Sequence, residues 1–224
     1  MMSNARQLDP PVNAMDRRGR DGRPRRERME YGSDMIKVKP ITHELLPDSE
    51  ALFDAGPETA GCSCMWFLIP YKQYHAGGPA VNRQLFRDLV QSSETPAGLL
   101  AYRDGEAVGW CATGPRARFV RALRVPSFRG RDPAEDDSVW MTPCFYVRKD
   151  ARREGVSRAL LEAAVALACE HGASALEGFP FARGFKVGRE SMVGVEALFA
   201  ACGFAVTRRP SSARVVMRRE LKAR

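Results

Sequence analysis

No apolar run in this 224-residue chain approaches the roughly 18 residues that a membrane-spanning helix needs. No apolar core of a secretory signal stands at its N-terminus. The six cysteines therefore read as reduced thiols of a cytoplasmic protein, four of them set singly inside apolar runs. Cys62 and Cys64 form a Cys-x-Cys without a second pair at finger spacing, and His75 stands eleven residues on. That spacing reads as packing or cleft lining rather than zinc, and no metal is expected. A Gly-Lys-Ser/Thr ending is missing, which excludes a Walker loop, and so is the triple glycine of a dinucleotide fingerprint. Neither an internal repeat nor an aromatic-basic RNA motif is present, so nucleic acid is disfavoured as a partner.

What is present is positive charge, +8 in all. Residues 1–34 hold eight Arg against six Asp and Glu and almost no aliphatics. Such a segment cannot bury enough surface to offset its ordering entropy, so a disordered arm is expected over 1–34 and one domain over 35–224. The rest of the excess is spread over that domain.

From Met35 the pattern becomes regular: a strand in "MIKVKPI", a helical stretch interrupted near Pro47, and an amphipathic helix in "AVNRQLFRDLVQSS". Two apolar runs flank Asp104-Gly105, a strong hairpin signal. An irregular loop is expected from about 115 to 138. "SVWMTPCFYV" reads as a strand and "EGVSRALLEAAVALACEHG" as a long helix ended by Gly172. "SALEGFP" follows as a strand, "GVEALFAAC" as a short helix, and two strands close the chain. Helical crossovers combined with hairpins imply a mixed sheet of the α/β (α+β) class.

The segment "VRKDARREGVS" carries the chemistry. It joins a strand to a helix through a basic loop with one glycine, Gly155. Unpaired N–H groups at a helix N-terminus form an anion site, and glycine lets a phosphate approach the main chain. Arg152 and Arg153 can add charge-assisted bonds to phosphate oxygens. A pyrophosphate-bearing ligand other than a nucleoside triphosphate or NAD fits this loop.

Residues 152–157, Arg-Arg-Glu-Gly-Val-Ser, resemble the (Gln/Arg)-x-x-Gly-x-(Gly/Ala) acyl-CoA pyrophosphate loop of the GNAT superfamily of N-acyltransferases. The preceding "FYV" resembles that family's splayed fourth strand, "SRALLEAAVALACEHG" its third helix, and "ALFAACGF" its Phe-Tyr-x-x-x-Gly-Phe ending. The resemblance covers about 35–221 in matching order. "CSCMWF" and "ALEGFP" are similar to a bacterial subgroup with Cys-x-Cys near the N-terminus, which implies no particular acceptor.

The resemblance implies one domain with a mixed sheet, a splayed fourth/fifth strand pair and helices on both faces. It implies acetyl-CoA, or another acyl-CoA, as cosubstrate and a primary amine as acceptor, joined by direct attack in a ternary complex. Tyr146, Val147, Arg152, Arg153, Glu154, Gly155, Val156 and Ser157 would hold the cofactor, with the Val147 N–H polarising the thioester oxygen. Trp66, Tyr71, Tyr74 and His75 would lie in the segment roofing the acceptor cleft, as loop residues able to select the substrate. Glu177, beside the split, reads as a general base or as half of a structural ion pair. Cys144 reads as an acyl relay or as a small core residue. The family's acid tyrosine falls on Phe199, which has no proton to give. That departure supports an alternative, a degenerate acyl-CoA-binding sensor or partner module. A homodimer is compatible with the sequence.

Overall fold

The structure, a computed structural model, describes residues 31–33, 35–59, 61–185 and 192–222. Eight strands form one sheet: β1 (Tyr31–Ser33), β2 (Ile36–Pro40), β3 (Gly98–Arg103), β4 (Glu106–Pro115), β5 (Val139–Val147), β6 (Ala175–Gly178), β7 (Ala205–Arg208) and β8 (Val216–Glu220). Their order across the sheet is β1-β2-β3-β4-β5-β6-β8-β7, and β5–β6 is the parallel pair in an otherwise antiparallel sheet. The mixed α/β sheet is thus as expected. The splayed pair is β5 and β6 rather than fourth and fifth because Tyr31–Ser33 adds a strand against β2. That strand lies inside the segment expected to be a disordered arm, so the sheet begins before Met35; residues 1–30 lie outside the described residues.

Four α-helices cover both faces: α1 (Leu46–Asp54), α2 (Tyr71–Ser92), α3 (Val156–Glu170) and α4 (Glu196–Ala201). Strand alternation sends Leu99, Cys111, Phe145, Val147 and Leu176 into one core with α3 and α4. Leu100, Trp110, Met141 and Tyr146 point into the other, with α1, Phe86 of α2, Cys64 and Met65. The hairpin at Asp104-Gly105 forms with both residues at positive φ, 53° and 84°, as a type I′ turn requires. The stretch expected to be an irregular loop is a chain of single 3₁₀ turns that buries Phe119 and Phe128 completely.

The decisive local event is in β5. Ala112 pairs with Cys144, but Gly114 pairs with Met141, so β5 carries one extra residue at Thr142-Pro143. A bulge bends its strand, and proline there has no N–H to lose from a ladder. Beyond it β5 leaves β6, whose parallel register stops at Met141↔Glu177. On the α3 side, the Phe199 ring is fully buried, edge-on to Phe145 at 5.9 Å, and lies over Gly178.

A Cβ at Gly178 would stand 2.6 Å from Phe199 Cζ, inside van der Waals contact. Gly178→Ala is expected to destabilise the chain by about 1–3 kcal/mol through overpacking. Urea unfolding checks this; an unchanged midpoint would show that Phe199 moves aside freely.

Candidate active site

Past the bulge, the ladder parity of β5 becomes functional. Arg148 donates its N–H to Val108 O at 2.9 Å, so the odd-numbered neighbours Val147 and Phe145 turn their N–H groups away from β4. The Phe145 N–H finds Met192 O. The Val147 N–H points toward the edge that β6 has vacated. Val147 O faces the same way and accepts from Arg152 Nε at 2.9 Å.

The loop that follows ends at Gly155, the N-cap of α3, with φ +86°. No side chain caps this terminus and no acid stands in its first turn, so its N–H groups are left for an external anion. A Cβ at Gly155 would meet nothing within 4 Å: the space in front of the glycine is open. Val147, Ala151, Arg152, Arg153, Gly155, Val156, Ser157, Arg158 and Leu198 line a pocket there. An uncapped helix terminus, a glycine cradle and basic side chains fit a pyrophosphate.

The two loop arginines differ, which the sequence did not foretell. Arg153, at φ +69°, is exposed and makes no ion pair among the described residues. Arg152 faces inward, its second nitrogen 3.1 Å from Glu58 Oε1. Glu58, with a side chain only 5% exposed, also lies 3.6 Å from Lys149. Its own backbone N–H, outweighing burial, and then Lys149 and Arg152 hold its carboxyl below the usual range. Arg152 thus braces the loop against Val147 O and Glu58. Glu154 pairs with Arg103 on β3. Tyr146 lies on the opposite face, its ring buried and its hydroxyl beside Gly56.

Trp66, Tyr71, Tyr74 and His75 come together as one cluster. Trp66 lies edge-on to Tyr74 at 5.2 Å and to His75 at 6.0 Å, and Tyr71 lies 4.2 Å from His75. They are not the loop residues that the sequence led us to expect. Trp66 sits in a 3₁₀ turn, and the other three occupy the first half of α2, which kinks at Gly78-Pro79. Arg121, which no sequence signal singles out, lays its guanidinium over the Trp66 ring at 3.5 Å.

The segment that carries this cluster is tied to both sides of the gap. On the β5 side, Ser63 and Cys64 take positive φ, 40° and 56°, a strained arrangement that sets Cys64 Sγ 2.9 Å from Trp110 Nε1. On the β6 side, Phe67 lies 5.6 Å from Phe179. Cys64 beside it, and then burial, push the Cys144 thiol well above its ordinary value. Burial first, with Cys144 nearby, lifts Cys62 to about 11. An acyl relay needs a thiolate, and these surroundings favour the neutral thiol. No group of three or more His, Cys, Asp or Glu suited to a metal occurs among the described residues.

Glu177, buried at the point where β5 and β6 part, has both oxygens engaged. Arg116 Nη1 donates to Oε2 at 2.9 Å and Arg218 Nη1 to Oε1 at 3.3 Å. Arg116 is itself 1% exposed and also bonds Asp136 at 2.7 Å. The geometry favours the structural ion pair over the general base.

Among curated proteins nothing matches the chain. Solved structures match its fold. An acetyltransferase from Thermus thermophilus aligns at 16% identity and TM-score 0.50, over 86% of this chain and 100% of its own. A Salmonella typhimurium structure determined with its cofactor acetyl-CoA aligns at 13% and 0.52, over 85% and 96%. The ribosomal-protein-S5-alanine acetyltransferase of Vibrio fischeri aligns at 9% and 0.50, over 86% and 96%. No helix among the described residues is long and apolar enough to cross a membrane. The acetyltransferase (GNAT) family model matches residues 64–204, well over half the chain, and the β5 bulge, the gap and the glycine-headed α3 all lie within that span. The chain belongs to the GNAT acetyltransferase family.

Proposed function

We propose that this protein transfers an acetyl group from acetyl-CoA to the primary amine of an acceptor, by direct attack with both substrates in one cleft. The observation that carries this reading is the open, uncapped N-terminus of α3 lying beside the Val147 N–H, which has no partner among the described residues. Acetyl-CoA, when bound, supplies the acyl group and a thiolate leaving group.

The chain's own residues do the rest. Gly155, Val156 and Ser157 hold the pyrophosphate with main-chain N–H groups, Arg153 adds a free cation, and Arg152 keeps the loop on Val147 O. The Val147 N–H is aimed at the oxygen on which negative charge develops, a fixed donor that needs no reorganisation. The aromatic roof excludes water and orients the amine. With Glu177 engaged by two arginines and Cys144 held as a thiol, neither is free to take the amine proton; as the C–N bond forms and the C–S bond breaks, that proton passes to the departing CoA sulfur. The reading therefore rests on positioning and on the Val147 donor. Phe199 packs as a dry spacer, and a thiolate near neutral pH leaves without protonation by it.

Gly155→Ala separates binding from folding. The added methyl meets nothing in the free protein, so stability should fall only by the cost of positive φ, about 1–2 kcal/mol. Acetyl-CoA affinity by calorimetry should fall at least tenfold, because the methyl enters the space in front of the helix. Unchanged affinity would remove the assignment of this pocket.

Glu177→Gln should lower stability by about 1–3 kcal/mol, as expected when a buried charged partner is weakened. Turnover of the fully folded variant should stay within a few-fold of the parent. A fall of about 10²-fold in kcat without loss of stability would make Glu177 a general base after all.

Phe199→Tyr should change turnover by less than about tenfold, below the usual range for general acid catalysis. A gain of orders of magnitude in stopped assays of thiol release would instead mark the chain as the degenerate, acyl-CoA-holding form.

A further inference from the structure

Most partly or fully buried arginines of the described chain have an answer within the protein. Arg116 has Asp136 and Glu177; Arg218 has Glu135, Glu177 and Glu220. Arg118 donates to the carbonyls of Thr95 and Pro96, Arg208 to those of Ser127 and Arg129, and Arg214 to that of Phe179. Arg121 differs. Its Nη1 is buried without a hydrogen-bond partner, and no carboxylate pairs with it among the described residues. Burial holds its guanidinium below the usual value, against the pull of Tyr71 and Tyr74.

Its position is nonetheless fixed. The Arg121 backbone N–H donates to Phe67 O at 3.1 Å, and its guanidinium lies on Trp66 at 3.5 Å with the Tyr71 ring at 4.9 Å. Stacking uses the π-face of a guanidinium and leaves its in-plane N–H groups for oxygens. A half-buried cation stacked on an indole, with a donor that no described residue uses, is suited to receive an oxyanion. Its neighbour Phe67 packs edge-on to Phe179, the residue that follows β6 at the edge of the gap.

We propose that the acceptor bears an anionic oxyacid group, carboxylate or phosphate, in addition to its amine, and that Arg121 on Trp66 receives that group. The proposal rests on the acyl-transfer reading above and narrows its acceptor to a small zwitterion. Arg121 is then a specificity residue acting through binding of the acceptor.

The test uses the full chain and matched probes. L-phenylalanine against phenethylamine and L-leucine against isoamylamine read a carboxylate; phosphoethanolamine against ethanolamine reads a phosphate. Tryptophan fluorescence, reporting through Trp66, is titrated with each probe, and acetyl transfer is followed as thiol release. The anionic member of at least one pair should bind saturably and be preferred in kcat/KM, chiefly through KM. Arg121→Gln should lower that anionic-over-neutral ratio by about 10- to 100-fold, the worth of a charge-assisted bond, and Arg121→Lys should restore part of it. A loss shared equally by both members of a pair would make Arg121 a packing residue and overturn the proposal. Equal or stronger binding of the neutral members, or no binding of any anionic member, would overturn it too. Acetyl-CoA binding by calorimetry is read separately. Its absence in the unaltered chain would strike the acyl-transfer reading itself, whereas intact acetyl-CoA binding without anionic selectivity strikes only this inference.

Discussion

The parting of β5 from β6 is the constraint on which the site depends. Parallel pairing lasts for three residues, Val139 to Met141, and then the bulge at Thr142-Pro143 turns β5 away. Separated strands leave backbone donors without partners, which is costly unless something answers them. Met192 O answers Phe145, and Arg152 answers the Val147 carbonyl. The Val147 N–H is left facing the vacated edge. A closed sheet would have satisfied it and removed the site. The Phe199 ring packs over Gly178 on the α3 side, while Phe67 packs against Phe179 on the other.

Charge is distributed to hold this opening in place. At its base Arg116, Arg218, Glu135, Asp136 and Glu177 tie the 3₁₀ segment before β5 to β6 and β8. A buried pair adds little net stability over an apolar replacement, but breaking one leaves an unanswered charge. The cluster therefore fixes where β6 lies when β5 turns away. At the top Glu58 does the equivalent work for Arg152 and Lys149, engaging one arginine of the loop while Arg153 makes no ion pair among the described residues.

How much of this the sequence disclosed follows from the range of each interaction. The basic loop, the glycine and the helix after it are contiguous, and their anion logic could be read directly. So could the Asp104-Gly105 hairpin, which is local by construction. The first half of α2 was hidden because Gly77, Gly78 and Pro79 interrupt the periodicity, although the helix resumes immediately beyond the kink. The strand at Tyr31–Ser33 was missed because its neighbourhood in the sequence is polar and shows no strand alternation. Arg152–Glu58, Glu177–Arg116 and Arg121–Trp66 join residues from separate elements. No spacing rule announces such pairs. Glu177 shows the cost: its place at the split could be read from order alone, but its partners, which decide its chemistry, could not.

Positive potential is placed on each face of the sheet by different means. On the α3 face it is mostly backbone: uncapped N–H groups with partial positive charge and Arg153 beside them, suited to a large anion held at the main chain. On the α1–α2 face it is one guanidinium fixed on an indole, suited to a small oxyanion. A flexible lysine could supply the charge but not the placement, since its ammonium has no flat face to stack and no fork to orient an oxyacid. On the proposed reading, two anions entering from opposite faces, each held at its own site, would bring an acyl donor and an amine toward the Val147 N–H, which no described residue accepts. Positioning of that kind lowers a barrier without an assigned base, because the entropy of bringing the reactants together is met by binding groups remote from the bond that forms.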